Sequence, residues 1–176
     1  GRSGLRMSTY FFEILRDRGI PTHYLKTDLE QATMTVKPAE LFGEGLEVIC
    51  RYRAVGSFLR RYGLYATPGQ KLDGLIEFTL KDDLRNDPLI TRDALLMLQV
   101  LNREEYEVLK RMTKEISDIV KDELAKKELE LYDIKLEFGK IGPHDQIALI
   151  DEISGGSMRV YKDGKHIEPL KLEKLF

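Results

Sequence analysis

The pattern of apolar and turn-forming residues predicts an α+β protein in which antiparallel strands pack against helices. Segments with strand-like alternation outnumber helical segments, and hairpin-like turns are more frequent than a regular strand-helix-strand order. One long amphipathic segment, residues 103–127, provides the main helix. These observations favour an α+β fold over a doubly wound parallel fold.

Local patterns predict the elements of the first half of the chain. Apolar residues at mostly helical spacing predict a first helix over 5–18, which ends at Gly19 and Pro21. Alternating or β-branched segments predict the strands that follow, at 22–27, 33–36, 46–55 and 75–80. Glycine and proline residues between them are typical of turns.

The second half of the chain contains the most strongly predicted helix. One face of residues 103–127 is apolar, and Asn102 followed by Glu105 has the pattern of a capping box. A shorter helix is expected over 92–98. The strands predicted after the long helix cover 129–138, 146–153 and 158–161, with a hairpin turn at 162–165.

Composition narrows the classes of function. The formal net charge of the 176 residues is −2, which gives no global electrostatic reason to expect nucleic acid or an anionic membrane as a partner. Cys50 is the single cysteine, so an intrachain disulfide framework and a multi-cysteine zinc site are excluded, and a reducing, cytoplasmic setting fits. No apolar run approaches the roughly 20 residues of a membrane helix.

The segment 131–139 alternates charged and apolar residues. Because side chains alternate between the two faces of a strand, Asp133, Lys135 and Glu137 share one face. Such a face is often simply solvated. Alternatively, it forms a cleft wall that combines metal-binding carboxylates with a cation for phosphate.

Other candidate site residues follow strands. Asp151 and Glu152 end an apolar strand, where acids suit Mg²⁺ but also act as turn or capping residues. Arg51, together with the Gly-Ser turn at Ser57, can bind a phosphate or a carboxylate. Alternatively, such arginines are ordinary solvated surface residues or contact RNA. Lys81 lies in a charged loop that is either a solvated turn or a contact to nucleotide and substrate.

No nucleophilic or phosphate-loop motif is evident. The three histidines, at positions 23, 144 and 166, lack metal-ligand spacing, and Cys50 lies in an apolar strand where burial is expected. No Walker-type glycine loop or dinucleotide fingerprint is present.

Taken together and in order, several segments resemble the SAICAR synthetase (phosphoribosylaminoimidazole-succinocarboxamide synthase) family. The resemblance extends from Gly19 to Arg159, and it is carried by the colinear series of segments and their spacing. The segments are GIPTH (19–23), EVICR (47–51), AVGS (54–57), RRYG (60–63), EFTLKDD (77–83), NDP (86–88), DIKLEFG (133–139) and DEIS (151–154).

This resemblance implies a two-lobed α+β fold that is distantly similar to protein kinases, with ATP between the lobes. Residues 1–50 would be the remainder of an N-terminal ATP-binding lobe and its linker, and residues 51–176 a C-terminal catalytic and substrate-binding lobe. The opening strands of the small lobe in that family are missing before Gly1. A cytoplasmic homodimer is also implied.

The implied reaction joins L-aspartate to the carboxylate of CAIR, with ATP converted to ADP and phosphate, through an acyl phosphate. ATP and Mg²⁺ are the implied cofactors. Carried over by position, Asp133 and Lys135 would face the reacting groups. The implied ATP ligands are Lys37, Lys81, Glu137 and Asp151, of which Glu137 and Asp151 would also hold Mg²⁺; the implied substrate ligands are Arg51, Ser57, Asp87 and Arg159.

The sequence departs from the family pattern at Gly155–Met158, which replaces a Pro-Asp-Thr-like run and suggests a divergent branch. Two alternatives therefore stay open. One is a related ligase or small-molecule kinase that uses another substrate. The other is a noncatalytic nucleotide-binding module.

Overall fold

The computed structural model describes residues 1–176, which form five α-helices and nine β-strands. The helices are α1 (Arg2–Asp17), α2 (Ser57–Tyr62), α3 (Arg92–Met97), α4 (Arg103–Ala125) and α5 (Pro169–Glu173). The strands are β1 (Tyr24–Asp28), β2 (Thr33–Val36), β3 (Ala39–Leu41), β4 (Leu46–Arg53), β5 (Lys71–Leu80), β6 (Glu130–Ile141), β7 (Gln146–Ile150), β8 (Met158–Lys162) and β9 (Lys165–Ile167).

Seven of the strands form one antiparallel sheet around β6. The main order is β5-β4-β6-β8-β9, and β3 and β7 also pair with β6. The 12-residue β6 is long enough to pair with β8 along its first half and with β7 along its second half. The two remaining strands, β1 and β2, form a separate hairpin. The α+β prediction is confirmed.

One face of the large sheet is apolar and covers the main core. The side chains of Val48, Cys50 and Phe78 on β4 and β5 are buried on the same side of the sheet as Ile134 and Leu136. Helix α4 packs against this face through the apolar stripe that its sequence predicts. Burial raises the pKa of the Cys50 thiol, as expected for a cysteine inside the core.

The two ends of the chain pack together. Phe11 on α1 lies against Phe176, with ring centroids 5.4 Å apart, and α1 also contacts α5. The Ser8 hydroxyl donates to the carbonyl of Ile153 at 3.0 Å, which ties α1 to the segment after β7. None of the helices is both long and apolar enough to cross a membrane.

Several elements differ from the sequence-based predictions, among them α5, which was not predicted, and β7, which ends at Ile150 and not at residue 153. The short strand β3 was not expected, and residues 57–62 form a helix where only a Gly-Ser turn was predicted. Strand β5 starts at Lys71, four residues earlier than the predicted start at Leu75, because Lys71 pairs with Arg53 near the end of β4. The predicted boundary between two lobes, after residue 50, falls inside strand β4. The division into two lobes stays a prediction.

Removing the α4 cap should measurably destabilise the protein. The Asn102 side chain accepts from the backbone of Glu105 at 2.8 Å, and the Glu105 carboxylate accepts from the backbone of Asn102 at 2.9 Å. Because an N-cap residue satisfies an otherwise unpaired N–H, Asn102→Ala should lower the free energy of unfolding by about 1 kcal/mol. Urea unfolding followed by circular dichroism measures this change, and the exposed Lys110→Ala on the same helix should leave stability nearly unchanged.

Candidate active site

The face of the sheet opposite α4 is polar and largely buried. Residues paired across β5, β4 and β6 share a face, which brings together Glu47 and Glu137 in one row and Arg51 and Asp133 in another. Asp133, Lys135 and Glu137 therefore do share a face, as predicted. Asp133 and Glu137 are buried, so this face is not the simple solvated surface that was the alternative.

Arg51 is the centre of this face and is only 1% exposed. Its Nε donates to Glu77 Oε1 at 2.5 Å, and its Nη1 donates to Asp133 Oδ2 at 3.1 Å. Its Nη2 donates to the Ser57 hydroxyl at 2.8 Å. One guanidinium therefore joins β5, β6 and the start of α2, and its charge is compensated by two buried carboxylates.

Asp133 connects Arg51 to a second arginine. The Arg159 Nη1 donates to the same Asp133 Oδ2 at 2.9 Å, and the Arg159 side chain is 42% exposed. Burial raises the pKa of the Asp133 carboxyl, while Arg159 and Arg51 act in the opposite direction. Arg159 can thus present a positive charge to a ligand while Asp133 holds one side of its guanidinium.

Lys135 is the second partly exposed cation of the face. Its Nζ lies 3.0 Å from Glu47 Oε2, and the other oxygen of Glu47 accepts from the Thr79 hydroxyl at 3.0 Å. Glu47 is buried, so its carboxylate fixes the position of the ammonium group. The charge of Lys135 is therefore held at the surface of the polar face, where it can contact a ligand, and not in the core.

These side chains line a cavity of about 500 Å³. It contains six of the predicted site residues, and its wall is polar, with few apolar side chains. The six are Arg51, Ser57, Asp87, Asp133, Lys135 and Arg159. Asp87 is held by its loop, because its Oδ1 accepts from the backbone of Asp82 at 2.8 Å. The divergent segment 155–158 also lines the cavity. The departure from the family pattern therefore lies at the site itself.

A carboxylate pair lies beside this cavity. Glu137 pairs with Ile150 at the end of β7, which places its carboxyl against that of Asp151. Burial and the hydrogen bond with Asp151 raise the pKa of Glu137 to about 7, although Lys81 opposes the shift. The Lys81 Nζ lies 2.7 Å from Glu137 Oε1. The structure therefore brings together three of the four predicted ATP ligands.

The backbone at Asp151 is held in an unusual conformation. Its φ is +69°, in the left-handed region, and its carbonyl oxygen lies 3.2 Å from Nε2 of His23. Burial lowers the pKa of His23, which favours the neutral ring. His23 thus supports the turn that carries Asp151.

The pair formed by Glu137 and Asp151 fits a hard cation. Two adjacent carboxylates repel each other when both are ionised, and a divalent cation relieves this repulsion. Mg²⁺ in nucleotide sites commonly takes one or two carboxylates together with water and phosphate oxygens. No group of three or more His, Cys, Asp or Glu side chains that could hold a metal ion is present.

Lys37 is the one predicted site residue that neither lines one of the two cavities nor has a side-chain hydrogen bond or ion pair with another predicted site residue. Its side chain is exposed and lines neither the 500 Å³ cavity nor the neighbouring cavity of about 420 Å³ that contains Asp151. Its backbone N–H donates to the carbonyl of His23 at 2.7 Å, so Lys37 connects to the site through the segment that supports Asp151.

Several site residues were not singled out individually from the sequence. Glu47 and Glu77 lie on the polar face, and Arg61 binds both oxygens of Glu77 at 3.0 Å. The alternation of Glu47, Ile49 and Arg51 along a predicted strand was a usable signal for Glu47. His166 also lines the cavity, but its position depends on β9 pairing with β8 at the edge of the sheet.

Comparisons with known proteins identify the family of this chain. The family model described as SAICAR synthetase matches residues 1–176. A phosphoribosylaminoimidazole-succinocarboxamide synthase from Clostridium tetani (strain Massachusetts / E88) is 65% identical over 175 residues, which cover 99% of this chain and 77% of that relative.

Solved structures share the fold. A SAICAR synthetase from Pyrococcus horikoshii OT3 has a TM-score of 0.86 and 29% identity, over 96% of this chain and 72% of that one. A SAICAR synthetase in complex with ADP has a TM-score of 0.86 and 28% identity, over 94% and 70% of the two chains.

Fold, charged cavity and relatives together define an enzyme of the ligase class. The chain belongs to the SAICAR synthetase family, whose members are ligases of purine biosynthesis.

Neutralising Glu77 should strongly destabilise the polar face. Glu77→Gln keeps the size of the side chain but removes the charge that compensates Arg51 and Arg61. Because breaking a buried ion pair leaves an uncompensated charge, the free energy of unfolding should fall by about 3 kcal/mol or more. Denaturant unfolding measures the loss.

The control is Glu130→Gln, which removes the partner of Arg53 at an exposed position. An exposed pair contributes at most about 1 kcal/mol, so this variant should remain close to the wild type. Equal losses in the two variants would contradict the central role of the Arg51 network.

Proposed function

We propose that this chain joins L-aspartate to the carboxylate of CAIR and converts ATP to ADP and phosphate. The observation that carries the proposal is the adjacency of two parts: a cavity with partly exposed Arg159 and Lys135, and the carboxylate pair of Glu137 and Asp151 beside Lys81. The first suits an anionic substrate, and the second suits a nucleotide with its metal ion.

The chemistry requires activation of a carboxylate, because a carboxylate is a poor electrophile. A carboxylate oxygen of CAIR attacks the γ-phosphorus of ATP, and the bond from this phosphorus to ADP breaks, which yields an acyl phosphate and ADP. The aspartate amine then attacks the acyl carbon, phosphate leaves, and the amine loses a proton as the amide forms. Both steps bring anions together, so positive charge must be placed where they meet.

The residues of the cavity match these requirements. Lys135, fixed by Glu47, can offset charge between the reacting carboxylate and the phosphoryl group. Arg159 and Ser57 can bind an anionic group of the substrate, and Asp133 orients Arg159. Arg51 is almost completely buried and therefore offers little surface to a ligand. Its main role in this proposal is to orient Ser57 and Asp133.

Glu137 and Asp151 are the residues that would hold Mg²⁺. When bound, the ion would neutralise charge on the phosphate oxygens. Lys81 adds a positive charge beside Glu137, which raises the pKa of Lys81 and keeps this ammonium protonated. His23 keeps the Asp151 turn in place through its contact with the Asp151 carbonyl.

A second candidate is a related ligase or small-molecule kinase. The specific observation in its favour is that the divergent segment 155–158 lines the cavity. A change there alters the shape of the substrate site, whereas Glu137 and Asp151 themselves are present.

The proposal also includes a cytoplasmic homodimer, as the family resemblance implies. Leu64, Tyr65 and Leu84 are at least 90% exposed and leave apolar surface for subunit contact. Sedimentation equilibrium would determine the oligomeric state, and a monomer at micromolar concentration would contradict this part of the proposal.

The first test is coupled ADP release with ATP, Mg²⁺, CAIR and aspartate, each omitted in turn. We expect turnover only with all four. ADP release that does not need aspartate would favour the kinase. ATP binding without turnover, also in a longer chain that includes the segment before Gly1, would favour a noncatalytic nucleotide-binding module.

Replacing Asp151 should separate nucleotide binding from its metal dependence. Asp151→Asn removes one of two anionic ligands, so Mg²⁺ should strengthen ADP binding about tenfold less than in the wild type. Isothermal titration of ADP with and without Mg²⁺ measures this difference. Asp145→Asn is a matched control, because Asp145 also has a positive φ (+51°) but lies in the exposed β6–β7 turn. An unchanged Mg²⁺ effect in Asp151→Asn would remove Asp151 from the metal site.

A further inference from the structure

Gly56 occupies a special position between the sheet and the cavity. It directly precedes α2, with a φ of 60° and a ψ of −134°, and its carbonyl accepts from the backbone of Arg60 at 3.2 Å. Residues with a side chain rarely adopt a positive φ of this kind, because Cβ collides with the backbone. Glycine therefore allows the chain to turn sharply from β4 into α2.

The space beside Gly56 is filled by the guanidinium of Arg159. A Cβ built at Gly56 would lie 2.6 Å from Cζ and 2.7 Å from Nη2 of Arg159, and it would collide with Nη1 as well. All three atoms belong to one planar group, so the guanidinium lies directly against the backbone of Gly56. No backbone atom is among the nearest neighbours of this Cβ.

The opposite constraint on Arg159 comes from Asp133. The Arg159 Nη1 donates to Asp133 Oδ2 at 2.9 Å, and Asp133 is itself held by Arg51. Arg159 is thus confined between a buried carboxylate and a glycine without a side chain. Ser57, the next residue after Gly56, lines the same cavity as Arg159.

We propose that Gly56 is a positioning residue, which sets the place of the Arg159 guanidinium beside Ser57 for binding an anionic group of the substrate. This inference rests on the proposed function. It adds that a glycine determines the geometry of the contact between Arg159 and the anionic group of the substrate. A methyl group at position 56 strains the local backbone, as at any positive φ, and it also displaces the flexible end of Arg159, so binding should suffer through Arg159.

The test is a double-mutant cycle of Gly56→Ala and Arg159→Ala, with KM for CAIR and kcat measured in the ADP-release assay. Gly56→Ala alone should raise the KM for CAIR about tenfold with little change in kcat, the order expected when one hydrogen bond to a charged group is weakened. In the Arg159→Ala background the same substitution should change KM by less than about twofold, because its target is gone.

Gly69→Ala is the matched control for backbone strain. Gly69 also has a positive φ (+77°), and its N–H bonds to Ala54 at 2.8 Å, but a Cβ there would meet nothing within 4 Å. It should therefore lower stability to a moderate extent and leave the KM for CAIR unchanged. Equal KM effects of the two glycine substitutions would overturn the inference.

A second readout does not depend on the substrate. The Nε–Hε resonance of Arg159 in NMR spectra, assigned by its loss in Arg159→Ala, should shift in Gly56→Ala and not in Gly69→Ala. If the wild type shows no CAIR-dependent turnover, the proposed function is overturned. The NMR shift would then still decide whether Gly56 positions the Arg159 guanidinium.

Folding failure is also informative. If Gly56→Ala does not fold but the double variant does, the collision with Arg159 is the cause, which supports the inference. If neither variant folds, the backbone conformation alone requires glycine, and Gly56 does not position Arg159. The same conclusion follows for folded variants if the Arg159 resonance does not shift, or if the effects of the two substitutions on KM are additive.

Discussion

The burial of the Arg51 charge is the constraint on which the site depends. The charge of a guanidinium that is 1% exposed must be compensated, and Glu77 on β5 and Asp133 on β6 do so. The Ser57 hydroxyl at the start of α2 accepts a further N–H of the same guanidinium. Because one group bonds to all three partners, this network fixes β5, β6 and α2 relative to β4.

The sheet separates stability from chemistry. Its apolar face packs on α4 and contributes the hydrophobic core, while its other face carries charges that are buried and paired. Buried ion pairs contribute little net stability compared with apolar packing, so the polar face is best understood through the cavity that it forms. The paired acids leave Arg159 and Lys135 as partly exposed cations at fixed positions.

The local environment of each acid determines what it can do. Asp133 lies between two arginines and orients them, whereas Glu137 lies against Asp151 and has a pKa of about 7. Two carboxylates four positions apart on one strand thus differ in their partners: one is paired with arginines, and the other lies against a second carboxylate. In the proposed function, the first helps to hold the anionic substrate and the second would help to hold the metal ion of the nucleotide.

The sequence by itself determined the α+β class, the long capped helix and the shared face of Asp133, Lys135 and Glu137, because these follow from spacing along one segment. It also indicated the family. Only the tertiary structure decided that this face is buried, that Lys37 stays apart and that Gly56 lies beneath Arg159. Strand pairing and the close approach of residues about a hundred positions apart depend on how the whole sheet closes, and local periodicity does not contain that information.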